Sequence, residues 1–599
     1  MDISKPKLVS LAVFICLLSA CENGNSAPED PKTSAPGNGD RINNVKISAK
    51  TPYGNPVQRV SGSGPVTVTL PGLTGHSVFL VTVNTSGSEV DGMKTGYVLS
   101  YNDKNARSEA AGGADGRSLK PEAGLADTGA TVSGVFTDDD GENVVRYEHN
   151  GKNREILDAI RQGRLSPPDT RAADLGLPRS RGTVPAPPSY TVGSSTKEFW
   201  VQDTNGKFKK VTATLRSEKT HSNVWVVDEN YDDCSADNND NKINSARAQE
   251  LADKFDTIYA RETPVFGYEY GGDVQSGEHG YGGVDCDPKI QILVYDIDGD
   301  YTASQRGGVF GYFFSGDELT QSDFDSNKYY NKKTIKTNQA EMFYIDAHFT
   351  DLAPASMYST LAHEFQHMIN FNQKTLKHHL VPVGVWYNEM LSMLAEDLID
   401  PFIGITVNDK GHPVKVRIPD FLQYYWFADP AVWLGGDDVY HSYANAYALG
   451  AYLARNFGGA NLVKEIMSNQ YVDAASLSAA LANGANPLAG SVNSFTKALE
   501  RYGEAMLFNQ SDDALRPGRL SFNKTVKVSI GGTDYTFSGF DIWAGGSGPY
   551  VYNTNKAYTL KPRTMLLMSN NAWQKLSGTL SVTVQPPSAF GVECYVMVR

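Results

Sequence analysis

Five consecutive residues, His363-Glu364-Phe365-Gln366-His367, combine two imidazoles and a carboxylate at a spacing that suits metal-assisted hydrolysis. Positions four apart lie on the same face of a helix with 3.6 residues per turn, so both imidazoles can reach one ion. Glu364 is rotated by about 100 degrees from His363, which predicts that it is the general base for the attacking water. The chain has only 11 histidines in 599 residues, so a chance match is rare. The pattern predicts a zinc hydrolase.

A third metal ligand is expected downstream, because a catalytic zinc ion takes three protein ligands and keeps one position open. Glu389 opens an apolar, helix-like run and is the predicted ligand. Glu396 follows seven residues later on the same helix face, where it is predicted to accept a hydrogen bond from a ligand imidazole. His378 and His379, in a Lys-rich loop, are the alternative third ligands.

The segment Leu361 to Phe371, LAHEFQHMINF, resembles the hyicolysin family of bacterial secreted metallopeptidases. With the helix that begins near Glu389, it is similar to the gluzincin clan, and the resemblance covers about residues 190 to 510. It implies a zinc metalloendopeptidase that acts on proteins or peptides, with Glu389 as the third ligand. Met390 stands where glycine is usual in that clan.

A tyrosine-rich segment that begins at Tyr443 is similar to the gluzincin aminopeptidase segment whose first tyrosine stabilises the oxyanion. The resemblance implies this catalytic role for Tyr443, with His441 as the alternative. The glutamate-containing strand that binds a free amino group in those aminopeptidases has no counterpart before His363. An endopeptidase is therefore favoured over an aminopeptidase.

The elements that must position these residues indicate an α+β fold. Strand-like runs such as Ile290 to Tyr295 and Met342 to Ile345 precede helical patterns that dominate from about Ser356 to Gln510. Strands followed by helices predict a gluzincin-like metallopeptidase domain at residues 190–511, with a mixed β-sheet and a mainly helical lobe. Either Gly307 to Tyr312 or Met342 to Ile345 could be an edge strand on which an extended peptide docks.

Two β-rich regions flank this domain. Short β-branched runs separated by Gly and Ser predict a small β domain at residues 45–101. A similar alternation predicts a C-terminal β-sandwich at residues 512–599. Between the first β domain and the metallopeptidase domain, residues 102–189 are rich in Gly, Ala, Asp and Pro and are interpreted as a linker or propeptide-like segment.

The N-terminus predicts export and lipid anchoring. Residues 1–20 combine lysines with an apolar run too short for a transmembrane helix, as in a signal peptide. Leu18-Ser19-Ala20-Cys21 resembles the bacterial lipobox, so Cys21 is the predicted lipidation site and residues 21–44 a flexible tether. The predicted location is the bacterial cell envelope, at the outer membrane or cell surface, with the lipid as sole membrane contact.

The remaining cysteines and acidic loops give weaker signals. Cys234 and Cys286 lie in polar loops of the same region and are the predicted disulfide pair. Asp296-Ile297-Asp298-Gly299-Asp300 and the cluster at residues 232–240 have the composition of calcium loops, although neither fits the EF-hand spacing.

The charge excludes one class of partner and leaves one rival function. A formal net charge of -14 argues against nucleic-acid binding, which depends on clustered Lys and Arg. A surface adhesin or binding lipoprotein with an incidental metallopeptidase fold is the rival reading, and the intact Glu364 argues against it.

Overall fold

The computed structural model describes most of the chain beyond residue 186 and parts of the chain before it. The described ranges are 45–46, 57–103, 131–137, 143–148, 187–203, 207–233, 241–272, 282–299, 307–326, 335–378, 383–435, 438–508, 519–544 and 548–599, with single residues between 156 and 165. The predicted signal peptide, Cys21 and most of the predicted tether lie outside these ranges.

Strands occupy both ends of the chain and the region before the zinc-binding pattern. They are β1 (Val45–Lys46), β2 (Val57–Arg59), β3 (Val66–Leu70), β4 (Val78–Asn84), β5 (Tyr97–Asp103), β6 (Thr131–Thr137), β7 (Asn143–Glu148), β8 (Thr196–Gln202), β9 (Phe208–Glu218), β10 (Ser222–Val227), β11 (Ile290–Tyr295), β12 (Gly307–Val309), β13 (Gly311–Phe313), β14 (Met342–Asp346), β15 (Val526–Ile530), β16 (Thr533–Phe537), β17 (Tyr552–Asn553), β18 (Met565–Ser569), β19 (Leu580–Gln585) and β20 (Val592–Val598).

Helices dominate the middle of the chain. They are α1 (Ser245–Phe266), α2 (Gln321–Asp325), α3 (Ala347–Leu352), α4 (Pro354–Asn370), α5 (Val385–Ile399), α6 (Pro413–Tyr424), α7 (Val439–Phe457), α8 (Ala460–Ser468), α9 (Asp473–Ala482), α10 (Phe495–Glu500) and α11 (Tyr502–Leu507). The chain therefore has the α+β class that the sequence predicts.

A six-stranded mixed sheet supports the helices, in the order β13-β14-β11-β10-β9-β8. Its centre is parallel, since β11 pairs in parallel with both β10 and β14, while β13 runs antiparallel to β14 at the edge. Every residue of β11 and β14 is buried, as expected for central strands covered on both faces. Apart from Gln291, the residues of β11 are apolar, in keeping with that burial.

Helix α4 connects this sheet to the helical lobe. Pro354 occupies its first turn, where the missing N–H costs no hydrogen bond. The helix packs against β13, β14, α1 and α5. A π-helical turn at Phe371–Leu376 follows, and Asn372 and Gln373 of that turn both donate to the Tyr268 carbonyl, at 2.8 and 2.7 Å. These bonds tie the end of α4 to the loop after α1.

The two chain ends form one β-sandwich instead of the two separate β domains expected from sequence. One sheet has the order β1-β3-β19-β5 and the other the order β17-β18-β4-β20-β2, so each sheet combines strands from both ends of the chain. Their inner faces share one hydrophobic core, which includes Val68, Leu80, Val582 and Val596. The boundaries 45–101 and 512–599 are thus wrong as independent domains, because β2, β4 and β5 pair only with strands of the C-terminal part.

The sandwich packs directly on the catalytic half of the chain. A Cβ at Gly503 of α11 would lie 2.5 Å from a methyl group of Val81 on β4, so helix and strand are in close contact. Phe79, Val81 and Val83 belong to the same apolar cluster as the residues around α4. Residues 43–599 accordingly form one compact unit.

Part of the region interpreted as a linker is β-structure. Strands β6 and β7 pair with each other, and β7 adds β12 in parallel through Val145 and Gly307 to give a three-stranded sheet. Because β12 is separated from β13 by one residue, Phe310, this small sheet adjoins the edge of the six-stranded sheet.

Among the described residues, no helix has both the length and the apolar character needed to cross a membrane.

Candidate metal centre

Three ligand atoms from two neighbouring helices converge in the helical lobe. His363 and His367 lie one turn apart on α4, and Glu389 lies in the second turn of α5, which packs against α4. One side-chain atom from each of these buried residues lies within 4.8 Å of the other two. The Glu389 carboxylate oxygens are 3.3 Å from His363 Nε2 and 3.7 Å from His367 Nε2. Both histidines thus face the same carboxylate through the same ring nitrogen.

A carboxylate fixes the ring of His363 from behind. Nδ1 of His363 lies 2.5 Å from an oxygen of Glu396, which is two turns beyond Glu389 on α5. Ser359 lies one turn before His363 and is 3.3 Å from the other Glu396 oxygen and 3.0 Å from Asp400. Burial and the nearby Glu396 raise the pKa of Asp400 well above its ordinary value. The Glu396 carboxylate is placed to accept a hydrogen bond from the Nδ1–H of His363.

A hydroxyl group fixes the ring of His367. Oγ of Ser392 lies 3.0 Å from His367 Nδ1 and donates to the Gln366 side-chain oxygen at 2.5 Å. Because the Ser392 hydroxyl donates its proton to Gln366, its oxygen accepts a hydrogen bond from the Nδ1–H of His367. This places the ring proton on Nδ1, so Nε2, which lies 3.7 Å from Glu389, keeps a lone pair that a metal ion could accept.

The spacing of the three atoms fits a small tetrahedral metal ion. Ligands bound at 2.0–2.1 Å with tetrahedral angles are about 3.3 Å from each other, which is close to the 3.3 and 3.7 Å that separate the two Nε2 atoms from the two oxygens of the Glu389 carboxylate. The alternative ligand His378 is exposed and is not part of the cluster, and His379 lies outside the described residues. Two neutral imidazoles and one carboxylate are a donor set that suits Zn²⁺.

The predicted general base Glu364 follows His363 in the same helical turn and is buried. Its position in sequence rotates it away from the ligand face of α4, as the helical period requires. Its catalytic role stays a prediction.

A buried ion pair fixes α7 against the ligand helix α5. Arg455 Nη1 lies 2.8 Å from a carboxylate oxygen of Asp397, the residue after Glu396, and Tyr447 donates to the same carboxylate at 2.8 Å. Arg455 is fully buried and also donates to the Ser538 carbonyl at 3.0 Å. Such a buried ion pair holds two helices in one register.

Tyr443 and His441 both lie on α7 and have different surroundings. Tyr443 is fully buried, with its ring edge-to-face on Trp433 at 4.5 Å and the Arg417 guanidinium 4.8 Å from the ring centre. His441 lies 2.9 Å from Asp420 and stacks near Tyr424. The oxyanion role of Tyr443 stays a prediction.

The remaining sequence predictions fall elsewhere. Cys234 lies outside the described residues, so its pairing with Cys286 stays a prediction. Cys594 is buried in β20, where burial raises the pKa of its thiol to about 12. In the acidic loop after β11, Asp296 accepts from Asn241 at 2.7 Å, whereas Asp300 and residues 234–240 lie outside the described ranges. Calcium at these two loops is untested.

Sequence reasoning missed Ser359, Ser392 and Asp400. A signal for Ser392 exists, since Glu389, Ser392 and Glu396 follow the i, i+3, i+7 spacing of one helix face. Ser359 stands four residues before His363 on α4. Asp400 carries no such signal, because it lies in the short turn after α5.

The chain is similar to known peptidases over its central half. The model of the peptidase M30 family matches residues 203–512, just over half of the chain. The neutral metalloprotease ShpI of Staphylococcus hyicus is 28% identical over 286 residues, which are 46% of this chain and 54% of that protein. The chain thus spans about half the length of this curated relative.

Proposed function

Because the chain belongs to the peptidase M30 family, we propose that it is a zinc-dependent endopeptidase that cleaves extracellular or periplasmic proteins. One observation carries the proposal: the buried triad of His363, His367 and Glu389, in which each imidazole is oriented through its second nitrogen. Metal-bound histidines usually have such a partner, and histidines of an ordinary core rarely share one carboxylate.

His363, His367 and Glu389 would hold the zinc ion, which when bound polarises the scissile carbonyl and acidifies the attacking water. Glu364 takes the proton of that water and returns it to the leaving amine. Glu396 and Ser392 keep the two imidazoles in the tautomer that presents Nε2. Tyr443 would donate a hydrogen bond to the charge that develops on the carbonyl oxygen.

The metal content of the purified protein tests this proposal. We expect about one zinc per chain, and we expect chelation to abolish casein hydrolysis and added zinc to restore it. Glu364→Gln should keep its zinc and lose turnover. A metal-free preparation with full activity would refute the proposal, and a Glu364→Gln strain with unchanged phenotype would favour the adhesin function.

Peptide substrates separate an endopeptidase from an aminopeptidase. An endopeptidase cleaves an N-acetylated peptide as fast as, or faster than, the same peptide with a free amino group. We expect this result, because the sequence lacks the amine-binding strand of the aminopeptidases. Cleavage confined to the first residue of free peptides would contradict it.

The proposed location is the cell envelope, with the chain held there by a lipid on Cys21. The support is the lipobox resemblance of residues 18–21. One lipidated cysteine carries more than one acyl chain, which is enough for stable membrane binding. Cys21→Ser should release the protein from the membrane fraction in a cell fractionation, and persistent membrane association would contradict the anchor.

A further inference from the structure

The two most exposed large apolar side chains of the described residues lie on adjoining loops at one end of the β-sandwich. Phe590 is 96% exposed and Met93 is 63% exposed. Phe590 stands in the loop between β19 and β20, and Met93 in the short turn before β5. The N–H groups of Ser588 and Ala589 both donate to the Lys94 carbonyl, at 3.1 and 3.3 Å, so the two loops are bonded to each other. We call Met93 and Phe590, with the loops that carry them, the apolar tip.

The two loops hold these side chains in a defined position. Asp91 accepts from the Met93 N–H at 2.8 Å, which closes the turn. A Cβ on Gly96, whose φ is 88°, would lie 3.2 Å from Cδ of Pro587, so the turn and the loop are in contact. Folding gains little from an apolar side chain that stays in water. The exposure of two neighbouring ones therefore points to a contact outside the folded chain.

Tyrosine side chains continue the exposed surface from the tip. Gly92 packs on the main chain of Tyr558, since a Cβ on Gly92 would lie 2.7 Å from the Tyr558 carbonyl carbon. The Tyr558 ring is 4.6 Å from that of Tyr552, which is 5.0 Å from that of Tyr550, itself 43% exposed. Tyrosine is enriched at lipid–water interfaces, because its ring is apolar and its hydroxyl stays wet.

The described acidic side chains at this end each have a basic neighbour, although the whole chain carries a formal net charge of -14. Glu89 and Glu593 each lie 2.5 Å from a basic side chain, Lys561 and Arg59 respectively. The turn of the tip carries one carboxylate and one lysine, Lys94. An anionic lipid surface would therefore meet no excess of negative charge here.

The chain enters the sandwich at the same end. Val66, the first residue of β3, pairs with Val584 near the end of β19, and the loop that carries the tip follows β19 directly. Because β1 runs parallel to β3, β1 also begins at the tip end. The predicted tether, residues 21–44, therefore joins the sandwich here. A flexible chain of that length spans about 25–30 Å, so the lipid on Cys21 would keep this end, and no other, close to a membrane.

We propose that Met93 and Phe590 insert into the surface of the membrane to which the lipid on Cys21 ties the chain. The inference rests on the proposed lipid anchor and adds a second, weaker contact to the sole contact expected from sequence. Two side chains bind a free protein weakly, but a tether raises their effective concentration to about the millimolar range. Because the sandwich packs on the catalytic half through Val81 and Gly503, insertion fixes the orientation of the metal centre relative to the membrane.

Quenching by brominated lipid tests insertion in the full lipidated chain. Phe590→Trp keeps an aromatic ring at the tip, and its emission is measured against wild type with its 7 tryptophans. In vesicles of phosphatidylethanolamine and phosphatidylglycerol with brominated acyl chains, we expect the added emission to be quenched and shifted to shorter wavelength. Tyr471→Trp is the matched control, since Tyr471 is 44% exposed beyond α8 in the helical lobe, and its emission should not be quenched.

The Cys21→Ser chain separates the tip from the anchor. Its partition onto the same vesicles should fall about tenfold when Phe590→Ser is added, because the ring no longer leaves water. Casein hydrolysis should not change, since Phe590 is exposed, and Tyr471→Ser should partition like its parent. The contact is too weak to survive washing, so Cys21→Ser is still expected to leave the membrane fraction of cells.

Unquenched emission from Phe590→Trp, or equal partition of Phe590→Ser and its parent, would overturn the proposal and leave the lipid anchor standing. Retention of Cys21→Ser in the washed membrane fraction would contradict the anchor instead, and the vesicle partition would still decide for or against the tip. A concentration-dependent dimer in the absence of lipid that Phe590→Ser abolishes would assign the tip to a second copy of the chain and would also overturn the proposal.

Discussion

Each ligand imidazole depends on one side chain of α5, and the two partners differ in charge. Glu396 holds His363 with a carboxylate, whereas Ser392 holds His367 with a neutral hydroxyl. A carboxylate partner makes an imidazole a stronger electron-pair donor than a hydroxyl partner does. The two nitrogen ligands of one ion are therefore expected to differ in basicity.

Glu389 and Glu364 should separate metal binding from proton transfer. Glu389→Gln removes the charged ligand between His363 and His367, so zinc affinity and activity should fall together. Glu364→Gln should leave zinc bound and remove turnover only, because the side chain acts on water. Zinc content and casein hydrolysis of the two variants provide the measurement.

The result would be contradicted if Glu389→Gln kept stoichiometric zinc at full affinity. A simultaneous loss of zinc in a His378 or His379 variant would make a histidine the third ligand.

Ser392→Ala should weaken zinc binding without unfolding the chain. The change removes the acceptor of the His367 Nδ1–H, and loss of such a partner lowers metal affinity about 10- to 100-fold. Competition with a zinc chelator of known affinity measures the effect. Ser478→Ala is the control, since the Ser478 hydroxyl bonds only within its own part of the helical lobe. An unchanged zinc affinity in Ser392→Ala would show that packing alone orients His367.

At the scale of elements, the β6–β7 hairpin lies next to the edge of the sheet that supports the site. Strand β7 pairs with β12, and β13, which follows β12, packs against α4. At Gly311 of β13, a Cβ would lie 3.0 Å from a methyl group of Thr360 on α4. Strand β6 lies against α6 and α7. An extended peptide that docked along this edge by strand addition would compete with the hairpin.

Replacing residues 131–148 by a Gly/Ser linker of equal length should therefore increase kcat/KM for N-blocked peptides severalfold, mainly through a lower KM. Equal replacement of residues 104–121, which precede the hairpin, serves as the control. A linker variant with wild-type kinetics would show that the hairpin does not limit access and would favour the linker interpretation of residues 102–189.

At the scale of the whole molecule, the sandwich makes the N-terminal strands dependent on the C-terminus. Strand β4 pairs with β18 and β20, and β5 pairs with β19. A chain truncated after residue 547 lacks β18, β19 and β20. Residues 57–103 should then lose their amide protection, because unpaired buried strand edges cannot be satisfied.

Hydrogen exchange followed by mass spectrometry measures this loss in β3 and β4. A full-length chain cleaved between residues 509 and 518 is the control, since both fragments remain present and protection should persist. Retained protection in the truncated chain would support the independent domain at residues 45–101 that the sequence predicts.

The candidate ligand helix and its chemistry can be predicted from the sequence alone. A helical period of 3.6 residues fixes which side chains share a face, so His363 and His367, and likewise Glu389 and Glu396, were identifiable as pairs from spacing alone. The family also followed from these residues and is confirmed by the match over residues 203–512. These pairs follow from helical geometry alone, so they can be predicted without knowledge of contacts between distant segments.

Tertiary structure alone decided which distant segments meet. Asp400 reaches Ser359, and β3 pairs with β19 although about 510 residues separate them. Alternating apolar residues mark a strand but do not name its partner, because every alternating strand offers the same backbone donors and acceptors.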